Sequence, residues 1–158
     1  MSISWSNLTF TPSEEAVQRL AEAWRWKLNE SYVPVLFSSL GDMFFQPEAG
    51  GVWWLNTGTA DISKVADSVE QFREFLGSSL ADEWFMPSLI EELILAGKIL
   101  QAGQCYSYVF LPVFIEGKYE VGNLNPVSAS EHFSITGHIL SEIESLSPGD
   151  KVEIKISK

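Results

Sequence analysis

The side chains able to do chemistry are few: two histidines, one cysteine, and 21 Asp and Glu against 10 Lys and Arg. His132 and His138 both fall on a predicted helix running from about Ser130 to Leu146. At about 100° per residue, His138 points about 120° away from His132, so the two cannot hold a metal side by side. His132 shares a face with Ile135, Thr136, Ile139, Ile143 and Leu146. It lies in the first turn, where the positive end of the helix dipole favours a neutral imidazole. The expectation is a packed ring bonded to a backbone group, with His138 facing solvent beside Glu142. Cys105 and His132 are the residue types of a nucleophile and its base. No cysteine-protease signature surrounds Gln104-Cys105-Tyr106, and a lone cysteine beside a strand is commonly a small core residue. A ligand-binding or enzymatic pocket near Cys105, Tyr106 and His132 stays open as an alternative.

Carboxylate pairs occur at Glu14-Glu15, Asp82-Glu83 and Glu91-Glu92. Helix neighbours diverge by about 100°, which is poor geometry for acid and base partners across a glycosidic bond. The sequence has no phosphate loop, dinucleotide fingerprint, HExxH or EF-hand pattern. The single cysteine excludes an internal disulfide and a cysteine-based zinc cluster. The reading is of no catalytic, cofactor-binding or metal-ligating residue, and hence of a protein that is not an enzyme.

Charge is more informative for its distribution. Between Asp67 and Glu92 stand seven acids and one base, Arg73. Glu70 and Glu74 are one turn apart and share a face. Such a stretch is either a solvated face or a docking surface for a basic partner. Glu70, Glu74, Asp82, Glu83, Glu91 and Glu92 are the candidate partner-binding residues, with Trp26, Trp53, Trp54 and Trp84 as candidate aromatic anchors. The net charge of −11 makes nucleic acid and anionic membrane poor direct partners. No uncharged run reaches the roughly 20 residues that span a bilayer. A soluble, cytoplasmic protein is expected.

The elements that must position these residues read as follows. Thr11-Pro12-Ser13-Glu14 has the form of a capping box, and Val17, Leu20, Trp24 and Leu28 form the stripe of a leading helix ending near Asn29. Short strands follow at Val33–Phe37, Met43–Gln46, Val52–Asn56 and Ile62–Ala66, the middle two as a hairpin. Ser68 with Gln71 caps a helix, and Pro87 opens another that Gly97 closes. Leu89, Ile90, Leu93, Ile94 and Leu95 surround that second helix, which is expected to be buried. Strands at Tyr106–Leu111 and Tyr119–Gly122, the helix carrying the histidines, and a strand at Val152–Ile156 complete the chain. The fold class is α+β: a single domain over residues 1–158, with a mainly antiparallel sheet and helices packed on one side. Residues 1–32 form its leading helical segment and 33–158 its body.

Several segments, in order, resemble a bacterial family: the C-terminal domain of immunity proteins that neutralise type VI secretion DNase effectors. They are Gly41-Asp42-Met43-Phe44-Phe45, Val52-Trp53-Trp54-Leu55-Asn56, Val65-Ala66-Asp67-Ser68 and Gln71-Phe72. Then come Gly103-Gln104-Cys105-Tyr106-Ser107-Tyr108, Pro112, Gly117, Tyr119-Glu120 and Asn123. His132-Phe133-Ser134-Ile135-Thr136-Gly137 and Ser147-Pro148-Gly149-Asp150 close the series. The resemblance implies a non-catalytic inhibitor that binds a cognate toxin, such as a nuclease, stoichiometrically inside the producing cell. A carboxylate-rich face suits the basic surface such an enzyme presents to nucleic acid. The motif residues Asp42, Cys105, Tyr106, Asn123 and His132 look like determinants of the fold, not toxin contacts. The SUKH-type immunity superfamily shares the hairpin and the acidic helix and ranks second. A housekeeping interaction module with no toxin partner is a further alternative.

Overall fold

The computed structural model describes residues 3–146. The predicted strand Val152–Ile156 and the Pro148-Gly149 turn lie outside the described residues. A short helix α1 (Trp5–Leu8) and a two-residue strand β1 (Thr9–Phe10) precede the leading helix α2 (Glu14–Ala23). Ser13, not Thr11, caps α2, its hydroxyl accepting from the Ala16 amide. Pro12 stands before the cap, and the helix ends at Ala23, with Trp24 already in the closing turn.

Strands β2 (Tyr32–Ser38), β3 (Met43–Pro47), β4 (Val52–Leu55) and β5 (Ile62–Ala66) join β1 in one antiparallel sheet of order β1-β2-β3-β4-β5. β1 pairs only with Phe37 and Ser38. The other half of β2, including Pro34, is therefore an open edge, which is where a residue without an amide proton is tolerated. Three helices follow: α3 (Val69–Leu76), α4 (Leu80–Phe85) and α5 (Pro87–Leu95). Gly97 takes the left-handed conformation expected of it, at φ 84°.

A second, two-stranded sheet pairs β6 (Gln104–Tyr108) with β7 (Leu124–Ser128), and α6 (Ala129–Glu144) ends the described chain. Residues 109–120 form a long loop in place of the ends of two strands, and Val121–Asn123 is a 3-10 turn before β7. The apolar run Val109–Leu111 and the stretch Tyr119–Gly122 imitate strands, but the chain folds back on itself there.

The α+β class and the mainly antiparallel sheet hold. The helices, expected together on one side, divide between the two faces. Alternation along β3 explains the division. Phe44 points into a cluster with Phe72 of α3, Trp84 and Phe85 of α4, and Ile90 and Leu93 of α5. Met43 and Phe45 point the other way, toward Leu20 and Trp24 from the α2 end and Phe133 and Leu140 of α6. Each aromatic side chain so buried removes on the order of 150–250 Å² from water, and the hairpin strands supply both faces. α5 is half-buried rather than enclosed: Leu89, Ile90 and Leu93 are inside, whereas Leu95 is 69% exposed. The buried face of α6 is also shifted, to Ala129, His132, Phe133, Thr136, Gly137 and Leu140, with Ile135 exposed. Gly137 is the close-packing point, since a Cβ there would strike the Ala23 backbone of α2.

Candidate functional site

His132 is fully enclosed. Its Nε2 lies 3.1 Å from the Gly41 carbonyl, which can only accept, so Nε2 carries the proton. The same nitrogen is 2.8 Å from Thr57 Oγ1, and Nδ1 is left to accept from the Ser107 hydroxyl at 2.7 Å. Thr57 Oγ1 in turn is 3.1 Å from Asp42 Oδ1. That carboxylate also accepts from the Thr57 amide at 2.9 Å and the Trp54 indole N–H at 3.1 Å. Thr57 Oγ1 is also 2.9 Å from the Gly41 carbonyl. Ser107, His132, Thr57, Gly41 and Asp42 thus form one buried network, in which the Gly41 carbonyl and the Asp42 carboxylate are the final acceptors. It ties β6 and α6 to the β2–β3 turn and to the turn after β4.

Glycine is required at one corner of this network. Gly41 has φ 81°, and a Cβ on it would collide with the His132 ring. Burial lowers the His132 pKa from 6.5 to about 4, against the opposing pull of the Gly41 carbonyl. Burial raises the Asp42 pKa from 3.8 to about 6, against the three hydrogen bonds that favour its charge. A general base works best with a pKa near the operating pH. An enclosed imidazole at about 4 is a poor one for Ser107, and the arrangement is suited to fastening turns together.

Cys105 is likewise buried, within the cluster that holds Phe133 and Leu111. Burial, with the Asp42 charge adding, drives its thiol well above the ordinary range, so the reactive thiolate is suppressed. Among the described residues no hydrogen bond joins Cys105 to His132, whose nitrogens are occupied by Ser107, Thr57 and Gly41. Tyr106 donates its hydroxyl to the Lys98 carbonyl at 2.6 Å. Asn123 bonds the backbone of Phe110 and Lys118. All five motif residues are buried. His138 faces solvent, 3.4 Å from Glu142.

The acidic residues lie on the helices of one sheet face. Glu70 and Glu74 are exposed on α3, opposite the buried Phe72. Asp82 and Glu83 are exposed on α4, and Glu92 on α5, while Glu91 is half-buried. Asp67 pairs with Lys64 at 3.0 Å. Asp82 and Glu92 line the same concavity of about 450 Å³, whose other walls include Met86, Leu89 and Tyr119. The tryptophans mainly pack the core. Trp84 is a core residue stacked on Phe72, and Trp54 is half-buried with its N–H committed to Asp42. Trp26 stacks on Trp24 and donates to the Gly137 carbonyl, and Trp53 is half-buried on the opposite face.

Residues 66–140 match the family model described as T6SS immunity protein Tdi1, C-terminal. This is the first of the two families that the sequence resembles. The matched span runs from the end of β5 into α6 and takes in the acidic helices, β6, the 109–120 loop and His132. The crystal structure of Atu4351 from Agrobacterium tumefaciens is similar, with a TM-score of 0.52 at 17% sequence identity. The likeness covers 82% of this chain and 65% of that one, so this chain spans less than two thirds of that protein's length. At such identity the likeness shows the fold alone. No curated protein matches the chain in sequence. Among the described residues no helix is long and apolar enough to cross a membrane.

Proposed function

We propose that this chain is a type VI secretion immunity protein that neutralises a cognate toxin by stoichiometric binding in the cytoplasm, without making or breaking a bond. The match of residues 66–140 to the immunity-protein family carries the reading. The physical features agree with it. The groups best suited to chemistry, His132 and Cys105, are buried, whereas five of the six candidate acids face solvent. Residues 3–146 act in this reading as one unit, with α2 fastened to α6.

The toxin presents a basic surface, as a nuclease does to its substrate, and the exposed carboxylates of α3–α5 steer the two proteins together. Electrostatic steering of this kind raises association rates and selects the partner. Two measurements test the reading. The chain is expected to co-purify in a defined ratio with the product of a toxin gene encoded beside it. Reversing Glu70, Glu74, Asp82 and Glu83 to lysine is expected to slow association at least tenfold with the fold intact. Unchanged association kinetics would reject this surface, and failure to bind the neighbouring toxin would reject the function.

A further inference from the structure

The loop between β6 and the 3-10 turn displays apolar side chains that the core does not use. Phe110 is 51% exposed and Ile115 94%, with Val109 and Val113 exposed between and beside them. Single exposed aliphatics are ordinary on a soluble protein, but four exposed apolar residues within seven concentrate apolar surface on one loop.

The loop is held rigidly. The Asn123 side chain accepts from the Phe110 amide at 2.9 Å and donates to the carbonyls of Phe110 and Lys118, at 2.9 and 2.8 Å. Phe114 N–H donates to the Leu111 carbonyl, Gly117 N–H to the Phe114 carbonyl, and Val113 N–H to the Gly58 carbonyl. Gly117 passes so close to the Leu111 carbonyl that any Cβ would collide with it. Leu111 is buried and anchors the loop to the core. Side chains presented on such a frame lose little conformational freedom when a partner covers them.

Beside the loop lies the concavity walled by Tyr119, Met86 and Leu89, with Asp82 and Glu92 as its charged liners. Three residues separate Ile115 from Tyr119, a backbone span of at most about 14 Å. Loop and groove therefore fit within one standard interface patch of about 800 Å².

We infer that the 109–120 loop and the Tyr119 groove together form the toxin-binding centre, with Phe110 and Ile115 as apolar anchors. The groove takes an arginine or lysine of the partner between Asp82 and Glu92. The occupant is a basic protein rather than a second copy of this chain. Two copies, each carrying −11, would bring like-charged grooves together. The inference rests on the immunity reading and narrows its contact surface. The acids of α3 then serve encounter, and the loop supplies the contacts that hold.

The test uses the full chain and the neighbouring toxin gene's product, purified in an inactive form. Ile115→Asp alone, and Phe110→Ser with Ile115→Ser, are expected to weaken binding at least tenfold, chiefly through faster dissociation. Asp82→Asn with Glu92→Gln is expected to lose at least fivefold. Ile115 is almost wholly exposed, so the single variant tests contact without disturbing the core. Wild-type dissociation rates in the loop variants would overturn this surface while leaving the immunity function standing. Failure of the wild-type chain to bind would overturn both. In sedimentation the free chain is expected to be monomeric. A dimer abolished by Ile115→Asp would also overturn the inference, by assigning the patch to a second copy.

Discussion

Asp42 and His132 are joined through a single hydroxyl, that of Thr57, yet burial shifts their protonation in opposite directions. Between pH 6.5 and about 4 the unfolded chain binds a proton at position 132 that the folded chain excludes, so this group costs stability as the pH falls. Between about pH 6 and 3.8 the folded chain binds a proton at Asp42 that the unfolded chain does not, so that group adds stability as the pH falls. The windows overlap, and each effect is on the order of 3 kcal/mol at full extent. The two largely offset each other in the wild type. Asp42→Asn is expected to leave the His132 effect alone, so its urea midpoint falls more steeply than the wild type's from pH 7 to 4.5. His132→Gln is expected to reverse that difference. Parallel midpoint-versus-pH curves for the three proteins would show that neither group is shifted. The sequence foretold a neutral, packed His132 from its helix position. It could not reveal Gly41, Thr57 or Ser107 as partners, because they lie 91, 75 and 25 residues away in the chain.

Elements written in local code were legible; those settled by distant contacts were not. The 43–55 hairpin, the Ser68 cap, the Pro87 start and the Gly97 stop each depend on neighbours within a few residues, and each is found. The strand Leu124–Ser128 was missed because Pro126 interrupts it and its order comes from pairing with Tyr106 across the small sheet. The apolar run Val109–Leu111 extends the expected strand past Tyr108, and Tyr119–Gly122 reads as a second strand, yet both stretches belong to the loop and the 3-10 turn. The loop's shape is fixed instead by Asn123, through bonds that no local pattern encodes. Asn123→Ala is expected to strip three hydrogen bonds from the loop backbone, at a cost of about 1–3 kcal/mol. Amide exchange should quicken between residues 109 and 118 while the hairpin strands stay protected. Unaltered exchange in the loop would mean that Asn123 does not hold it, and the rigid presentation of Phe110 and Ile115 would need another cause.

At the scale of the whole molecule, the acidic helices and the apolar loop are two distinguishable parts of the surface. Seven acids and one base stand between Asp67 and Glu92, whereas the densest run of exposed apolar residues, Val109, Phe110, Val113 and Ile115, sits on the loop beyond. Long-range attraction between charges is screened over about 10 Å at 0.1 M salt and about 3 Å at 1 M. Apolar contact, once made, is not weakened by such screening. The two surfaces should therefore separate in binding kinetics. Raising sodium chloride from 0.02 to 0.5 M is expected to slow association with a basic toxin at least tenfold and to change dissociation by less than threefold. The lysine-reversed variant should lose that dependence of association on salt or invert it, and the loop variants should keep it while dissociating faster. If dissociation proved as salt-sensitive as association, ion pairs would be holding the complex together. The contact centre would then move from the loop back to the carboxylates of α3–α5.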